Sequence, residues 1–322
     1  MQNSQLSDAE NNALIWILSK AQEWEIHFEF NQQMVDQFDL SLYSCHLRKL
    51  GQQAVGFGTD YNRRRAQLKA AMEALERRLM TDNKWKHSSG TSLHVDPSVG
   101  RQTAINEALE RDSFFCHFYT QTAFGLLEDD QLSQDWDELL KRYNLKGTLR
   151  RLHSHPDITV VLAALKDEEK NIGICIGLGT NQCPKKAALH AQRECLSFYT
   201  YLVSSKSPVS FDLNQFRSKD QPNVFDHGHL GKDAEYGNWF WKTYLTSPSP
   251  LRATLHRMPA AQVYPLPSSF HDAPFSLWRA DQTGLQEPFW GRYNELNEKR
   301  LEEFCGQKGS HINYPSYPHC FT

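Results

Sequence analysis

One helical template is written three times in this chain. Residues 66–77 read AQLKAAMEALER and residues 100–111 read GRQTAINEALER. Both end in Glu-Ala-Leu-Glu-Arg. Seven residues before the first Glu stands a small residue, Ala66 or Gly100, and three before it an alanine, Ala70 or Ala104. Residues 187–198, AALHAQRECLSF, repeat the frame as Ala187, Ala191 and Glu194, with Ser197 where a second Glu would fall. On a helix, positions i, i+4, i+7 and i+10 share a face. Each copy therefore presents two small residues, which admit another backbone, and then one or two carboxylates. Packed together, the helices would gather Glu73, Glu76, Glu107, Glu110 and Glu194.

Carboxylates that close repel, and their pKa values rise. A hard cation with oxygen ligands relieves the repulsion, and Mg²⁺ suits few carboxylates together with phosphate oxygens and water. Arg77 and Arg111 follow directly and can pair with phosphate or with the carboxylates. A single Glu-x-x-Glu-Arg is usually a solvated face with ion pairs. Two matching copies and a partial third favour a site, although a repeat can also express fold symmetry alone. The preceding segments GFGTD and HSSGTS read as loops whose glycines let a backbone approach a ligand. GxxxxGK[ST] is absent, and no GxGxxG opens a helix after a strand, so neither a Walker loop nor a Rossmann cofactor is indicated.

The rest of the chain bounds the class. Its 322 residues, 39% hydrophobic and 23% charged, are those of a globular protein with a sizeable core. A net charge of -3 gives no basic excess to draw nucleic acid. No stretch of apolar residues is long enough for a membrane span, and MQNSQLSDAENN has no basic region of a signal peptide. The seven cysteines are scattered and lack CxxC, which fits core residues in a reducing cytoplasm.

Periodicity predicts helices over 7–22, 62–80, 98–118, 131–144, 184–204, 238–245 and 290–305. It predicts strands at 25–30, 40–47, 157–165, 171–179, 261–266 and 274–280. Residues 205–238 read as a long surface excursion. Helices and strands mix without strict alternation, so the fold class is α/β with mixed sheets and packed helices, internally repeated.

These blocks resemble the YcaO-domain family. Gly56 to Arg77 resembles its glycine-containing segment followed by A-x3-A-x2-E-A-x-E-R. Ser88 to Asp112 resembles S-S-T-G-L followed by A-x3-A-x2-E-x-x-E-R-D, and Ala187 to Ser197 resembles A-x3-A-x2-E-x-x-Q. The strands DITVVLAAL and GICIGLGTN, and the late segment PFSLWRADQTGLQEPFWG, resemble the family too. The chain departs from it at Ser197 for Gln and His190 for Arg. Its tail Pro318-His319-Cys320-Phe321-Thr322 resembles Pro-His-Pro-Phe-Pro with two prolines lost.

The resemblance implies residues 1–50 as a helix-strand extension and 51–322 as an ATP-binding catalytic domain. It implies an ATP- and Mg²⁺-dependent cyclodehydratase-like enzyme that activates backbone amides of a ribosomal precursor peptide. A nucleophile adds to the amide carbon, ATP phosphorylates the amide oxygen, and phosphate leaves. Azolines from Cys, Ser or Thr rank first among its products. Thioamide or amidine formation, and a non-catalytic scaffold role, are the alternatives. By carry-over, Glu73, Glu76, Glu107, Glu110 and Glu194 are metal or metal-water ligands. Ser88, Ser89, Thr91, Arg77 and Arg111 contact nucleotide, and Thr322 at the chain end is the catalytic candidate. The implied partners are a leader-binding subunit and a flavin dehydrogenase, in a hetero- or homo-oligomer, because residues 1–50 are too few for a leader-binding module.

Other candidates carry less. His227-Gly228-His229 with Asp226 reads as exposed loop histidines, and His153 and His155 as polar surface. Cys183 and Cys195 lack a basic partner in sequence. Trp239, Phe240, Trp241 and Tyr244 read as core or as cover for a subunit interface.

Overall fold

The computed structural model describes residues 5–32, 38–49, 52–153, 155–203, 212–220, 222–250, 257–270, 272–288, 296–306 and 312–320. In chain order the elements are α1 (Asp8–Ser19), β1 (His27–Asn31), β2 (Ser41–Lys49), β3 (Gln52–Asp60), α2 (Arg63–Asp82), β4 (Thr91–His94), α3 (Pro97–Tyr119) and β5 (Gly125–Leu126). Next come α4 (Asp130–Arg142), β6 (Lys146–Leu152), β7 (Thr159–Asp167), β8 (Ile172–Asn181) and α5 (Pro184–Val203). Three short helices follow, α6 (Leu213–Ser218), α7 (Val224–His229) and α8 (Ala234–Phe240), then β9 (Ala261–Tyr264), β10 (Ser276–Ala280) and α9 (Glu298–Cys305).

The chain divides into two units, 1–108 with 259–281, and 109–258 with 282–322. The first holds two three-stranded sheets, β1-β2-β3 and β4-β10-β9, and the second one four-stranded sheet, β5-β6-β7-β8. The α/β class holds, and every strand pairing among the described residues is antiparallel.

Local chemistry sets the ends of the site-bearing helices. Asn62 caps α2 by accepting from the Arg65 N–H at 3.1 Å. Asp96 performs the same service before α3, accepting from Ser98 N–H at 2.8 Å and Val99 N–H at 3.2 Å. Asp167 closes the turn between β7 and β8 through the Glu169 and Lys170 N–H groups, and its other oxygen takes the Tyr199 hydroxyl at 2.6 Å.

The segment GFGTD is strand, not loop. Its glycines press β3 onto α2: a Cβ on Gly56 would meet the Ala70 carbonyl and Ala74 N, and one on Gly58 the Ala66 carbonyl and Ala70 N. In the second unit Gly177 and Gly179 of β8 meet Ala191 and Cys195, and Ala187 and Ala191, of α5 in the same manner. The small residues of the template thus serve strand-on-helix contact, and these glycines face helix backbone rather than a ligand. Around this contact the first unit buries Trp24, Tyr43, Cys45, Leu47, Leu75, Leu79, Phe270 and Leu277.

The second unit corrects three expectations. Residues 212–220 and 222–238 are not a polar excursion: they form three short helices, with Phe216, Asp226, His227, Leu230 and Tyr236 buried. His227 stacks on His319 at 4.1 Å between ring centroids and donates its Nδ1–H to the His319 carbonyl at 2.8 Å. His153 is also buried, with its backbone N–H donating to His117 Nε2 at 3.1 Å. That bond leaves His117 Nδ1 to donate to the Thr122 carbonyl at 2.8 Å, so His117 is neutral and its tautomer fixed. Core chemistry, rather than metal binding, accounts for these histidines. Phe240 and Tyr244 are buried as core, and Trp239 packs on Tyr317 at 4.6 Å. Among the described residues no helix is long and apolar enough to cross a membrane.

Candidate functional site

Helix α2 carries Glu73, Glu76 and Arg77 along one side. Glu73 Oε2 accepts from the Phe57 N–H at 2.5 Å, and its other oxygen pairs with Arg77 Nη2 at 2.7 Å. Arg77 Nη1 also donates to the Val55 carbonyl at 2.8 Å, which ties this pair to β3. Glu76 Oε2 accepts from the Leu93 N–H of β4 at 3.1 Å. Its carboxyl is pushed well above the usual carboxylate range. Desolvation is the largest cause, followed by the negative charges of Glu107 and Glu73, and the Leu93 N–H and Arg77 offset this only in part. Glu107 of α3 is thus the charge that acts most strongly on Glu76.

Three of the predicted carboxylates, Glu73, Glu76 and Glu107, therefore share one electrostatic environment. Among the described residues no group of three or more His, Cys, Asp or Glu side chains is drawn into a ligand cluster. The hydrogen bonds give the reason, since Glu73 turns to Phe57 and Arg77 while Glu76 turns to Leu93. In donor chemistry the set suits Mg²⁺: all are hard oxygens, and one carries a charge that the fold disfavours.

Glu110 and Glu194 belong to the second unit. Glu110 is buried, accepts from the Thr180 hydroxyl at 2.9 Å and lies 3.8 Å from Arg111 Nη1. Glu194 is exposed on α5, 3.5 Å from His190 Nε2. Thr180 escaped the sequence reading. Its signal was the likeness of GLGTN to GFGTD, in which Thr180 matches Thr59.

The loop before β4 contains the remaining candidates. Gly90 adopts φ 71°, a backbone conformation that favours glycine. The turn closes through the Thr91 N–H to the Ser88 carbonyl at 2.9 Å, with Ser89 and Thr91 buried and Ser88 partly exposed. Arg279 of β10 braces it, donating to the His87 carbonyl at 3.2 Å and to Thr91 Oγ1 at 3.1 Å. The Arg279 guanidinium lies 4.3 Å from the centre of the Trp85 ring. Thr91 thus already accepts from a protein donor. Neither Arg279 nor Trp85 stood out in sequence, because β10 and the loop meet only through sheet pairing. Thr322 lies outside the described residues.

The family model described as YcaO cyclodehydratase, ATP- and Mg²⁺-binding, matches residues 81–285. The chain belongs to the YcaO family and is an ATP-dependent, cyclodehydratase-like enzyme with ATP and Mg²⁺ as its cofactors. No curated protein matches the sequence. Among solved structures, YcaO from Methanopyrus kandleri, bound with AMPPCP and Mg²⁺, is similar at 14% identity and TM-score 0.62, over 89% of this chain and 95% of that one. A heterocyclase in complex with substrate and cofactor matches at 11% identity and TM-score 0.62. That match covers 99% of this chain but 58% of the heterocyclase. The Escherichia coli microcin synthetase McbBCD complex matches at 11% identity and TM-score 0.51, over 79% of this chain and 86% of that one. At such identities the likeness is one of fold.

Proposed function

We propose that this enzyme closes Cys, Ser or Thr side chains of a ribosomally made peptide onto a backbone amide, forming azolines with loss of water. The observation that supports Mg²⁺ at this site, and through it ATP-dependent amide activation, is the disfavoured charge of Glu76, set against Glu107 and Glu73. In this reading Glu73, Glu76, Glu107, Glu110 and Glu194 hold Mg²⁺ or its waters, and Arg77, Arg111 and the Ser88–Thr91 turn hold nucleotide. ATP with Mg²⁺ supplies the phosphoryl group that makes the amide oxygen a good leaving group. The chain's own part is to orient that group. Leu93 and Phe57 N–H groups hold two carboxylates in place, Thr180 holds a third, and Arg279 stiffens the turn. Both Glu-x-x-Glu pairs are intact, which favours catalysis over a scaffold role.

A second reading, thioamide or amidine formation, is favoured by the tail, which resembles the family's Pro-His-Pro-Phe-Pro end with two prolines lost. Incubation with a Cys-, Ser- and Thr-containing peptide, ATP and Mg²⁺ tests both. Loss of one water with release of ADP and phosphate supports ring or amidine closure, which fragmentation separates. Exchange of oxygen for sulfur supports the thioamide, and nucleotide binding without turnover supports the scaffold.

We also infer a separate leader-binding subunit, since remote binding must position the peptide. The McbBCD complex, similar in fold, is itself an assembly. Oxidation of the azolines would fall to a flavin dehydrogenase partner. Full-rate processing by the 322 residues alone would overturn the inference of a leader-binding subunit.

A further inference from the structure

The opposite side of α2 has its own chemistry. Leu75, Arg78 and Asp82 form a stripe turned away from Glu73 and Glu76, and they line a cleft with Trp24, Leu47, Ser269 and Phe270, all within the first unit. The cleft measures about 170 Å³. An apolar cavity of roughly 150 Å³ holds a benzene-sized molecule, so there is room for one small ring and a short polar arm.

Its walls are aromatic and aliphatic, and Trp24, Leu47, Leu75 and Phe270 are all buried. One strong donor stands among them. The Arg78 side chain is nine-tenths buried. Its Nη1 donates to Asp82 Oδ1 at 2.6 Å, while its buried Nε has no hydrogen-bond partner among the described residues. Buried guanidinium N–H groups are rarely left without an acceptor, because the group has lost its water. An apolar pocket with one convergent polar group, here an N–H without an acceptor, is the ordinary build of a small-molecule site.

We propose that this cleft binds a small carboxylic acid with an apolar, ring-sized body, its carboxylate accepting from Arg78 Nε and its body packing on Trp24 and Phe270. The site is separate from the carboxylates assigned to Mg²⁺ above, so it stands whether or not that assignment does. Asp82 already uses Arg78 Nη1, which leaves Nε to the ligand. Asp82 is partly exposed at the end of the stripe, where it would also welcome an ammonium group.

The test is titration of the full chain with phenylacetate, phenylalanine and phenethylamine, followed by calorimetry and by intrinsic tryptophan fluorescence, with a Trp24→Phe chain to identify the part that comes from Trp24. Saturable binding of phenylacetate or phenylalanine is expected, with phenethylamine at least about tenfold weaker. Equal affinity of phenylalanine and phenylacetate means that Asp82 adds nothing; tighter phenylalanine adds an ammonium contact to the same carboxylate site. Arg78→Lys keeps a cation for Asp82 and removes Nε, and should weaken phenylacetate about tenfold or more with nucleotide binding unchanged. Absence of saturation up to about 10 mM, tighter binding of phenethylamine than of phenylacetate, or undiminished binding by a folded Arg78→Lys protein would overturn the proposal.

Discussion

Arg300 grips Asp112 with two nitrogens. Nη2 lies 2.6 Å from Oδ2 and Nε lies 2.9 Å from Oδ1, and both side chains are 2% exposed. The same carboxylate accepts from the Gln286 N–H at 2.8 Å, and Gln286 accepts from the Asn297 N–H at 2.8 Å. One pair therefore ties α3, one residue beyond Arg111, to the late segment and to the start of α9. Removing one partner strands a buried charge. Arg300→Met is expected to cost about 3–5 kcal/mol, read by urea unfolding, while the double variant Arg300→Met with Asp112→Leu should recover much of it. A single variant that unfolds at the parent midpoint would refute this.

His227 predicts an acid-side loss of stability. Burial lowers its pKa to about 4, against smaller raising effects from the His319 carbonyl and Asp226. Lys219 pairs with Asp226 beside it, and His229 follows on the same helix. The folded state keeps His227 neutral, whereas the unfolded chain takes up a proton near the ordinary value of 6.5. Its contribution is complete above that value and is lost as pH falls towards about 4, by up to roughly 3 kcal/mol. His227→Phe should flatten the stability profile in this window, in urea titrations at several pH values. An unchanged slope would remove His227 as the cause.

Gly58 and Gly179 should resist even one methyl group. A Cβ at either would strike helix backbone, at Ala66 and Ala70 or at Ala187 and Ala191, which cannot turn aside. Gly58→Ala and Gly179→Ala should each cost about 1–3 kcal/mol as overpacking. Gly284→Ala makes a good contrast, because space around it is open and any penalty there comes only from its φ of 85°. Thermal melting of the three variants separates collision from backbone strain.

These contacts also show what could be read in the sequence. The A-x3-A frame was legible because helix periodicity puts Ala66, Ala70 and Glu73 on one face whatever surrounds them. What the alanines meet was not legible: Gly56 and Gly58 looked like a ligand loop, yet they are the strand side of a strand-helix contact. Periodicity reports which face is small and leaves open what fills the space. Buried His153 and His227 were missed for a related reason. A histidine can be core once a ring nitrogen finds a carbonyl to accept its proton, and the Pro250 and His319 carbonyls that do so for His153 and His227 lie far away in sequence. Thr180 and Arg279 act through pairings that form only on folding. The carboxylates themselves were legible, since Glu73, Glu76 and Glu107 recur at fixed offsets.

Glu76 gives a prediction of opposite sign to that of His227. Its carboxyl is held protonated to higher pH in the folded chain than in the unfolded one, through burial, Glu107 and Glu73. Stability from this group is therefore complete below the ordinary carboxylate pKa and is lost as pH rises through the elevated folded value. In Mg²⁺-free buffer, raising the pH from about 4 to about 8 should cost the parent more than Glu76→Gln, which carries no charge to disfavour. Mg²⁺ at millimolar concentration should restore the parent at high pH and leave Glu76→Gln unmoved, because an ion that binds the folded state stabilises it by mass action. The same variant should lose ATP turnover while remaining folded. Melts across pH, with and without Mg²⁺, supply the first readout, and phosphate release supplies the second. If Glu76→Gln matched the parent in pH dependence, in its response to Mg²⁺ and in turnover, the crowding of charge around Glu76 would have no part in holding the metal.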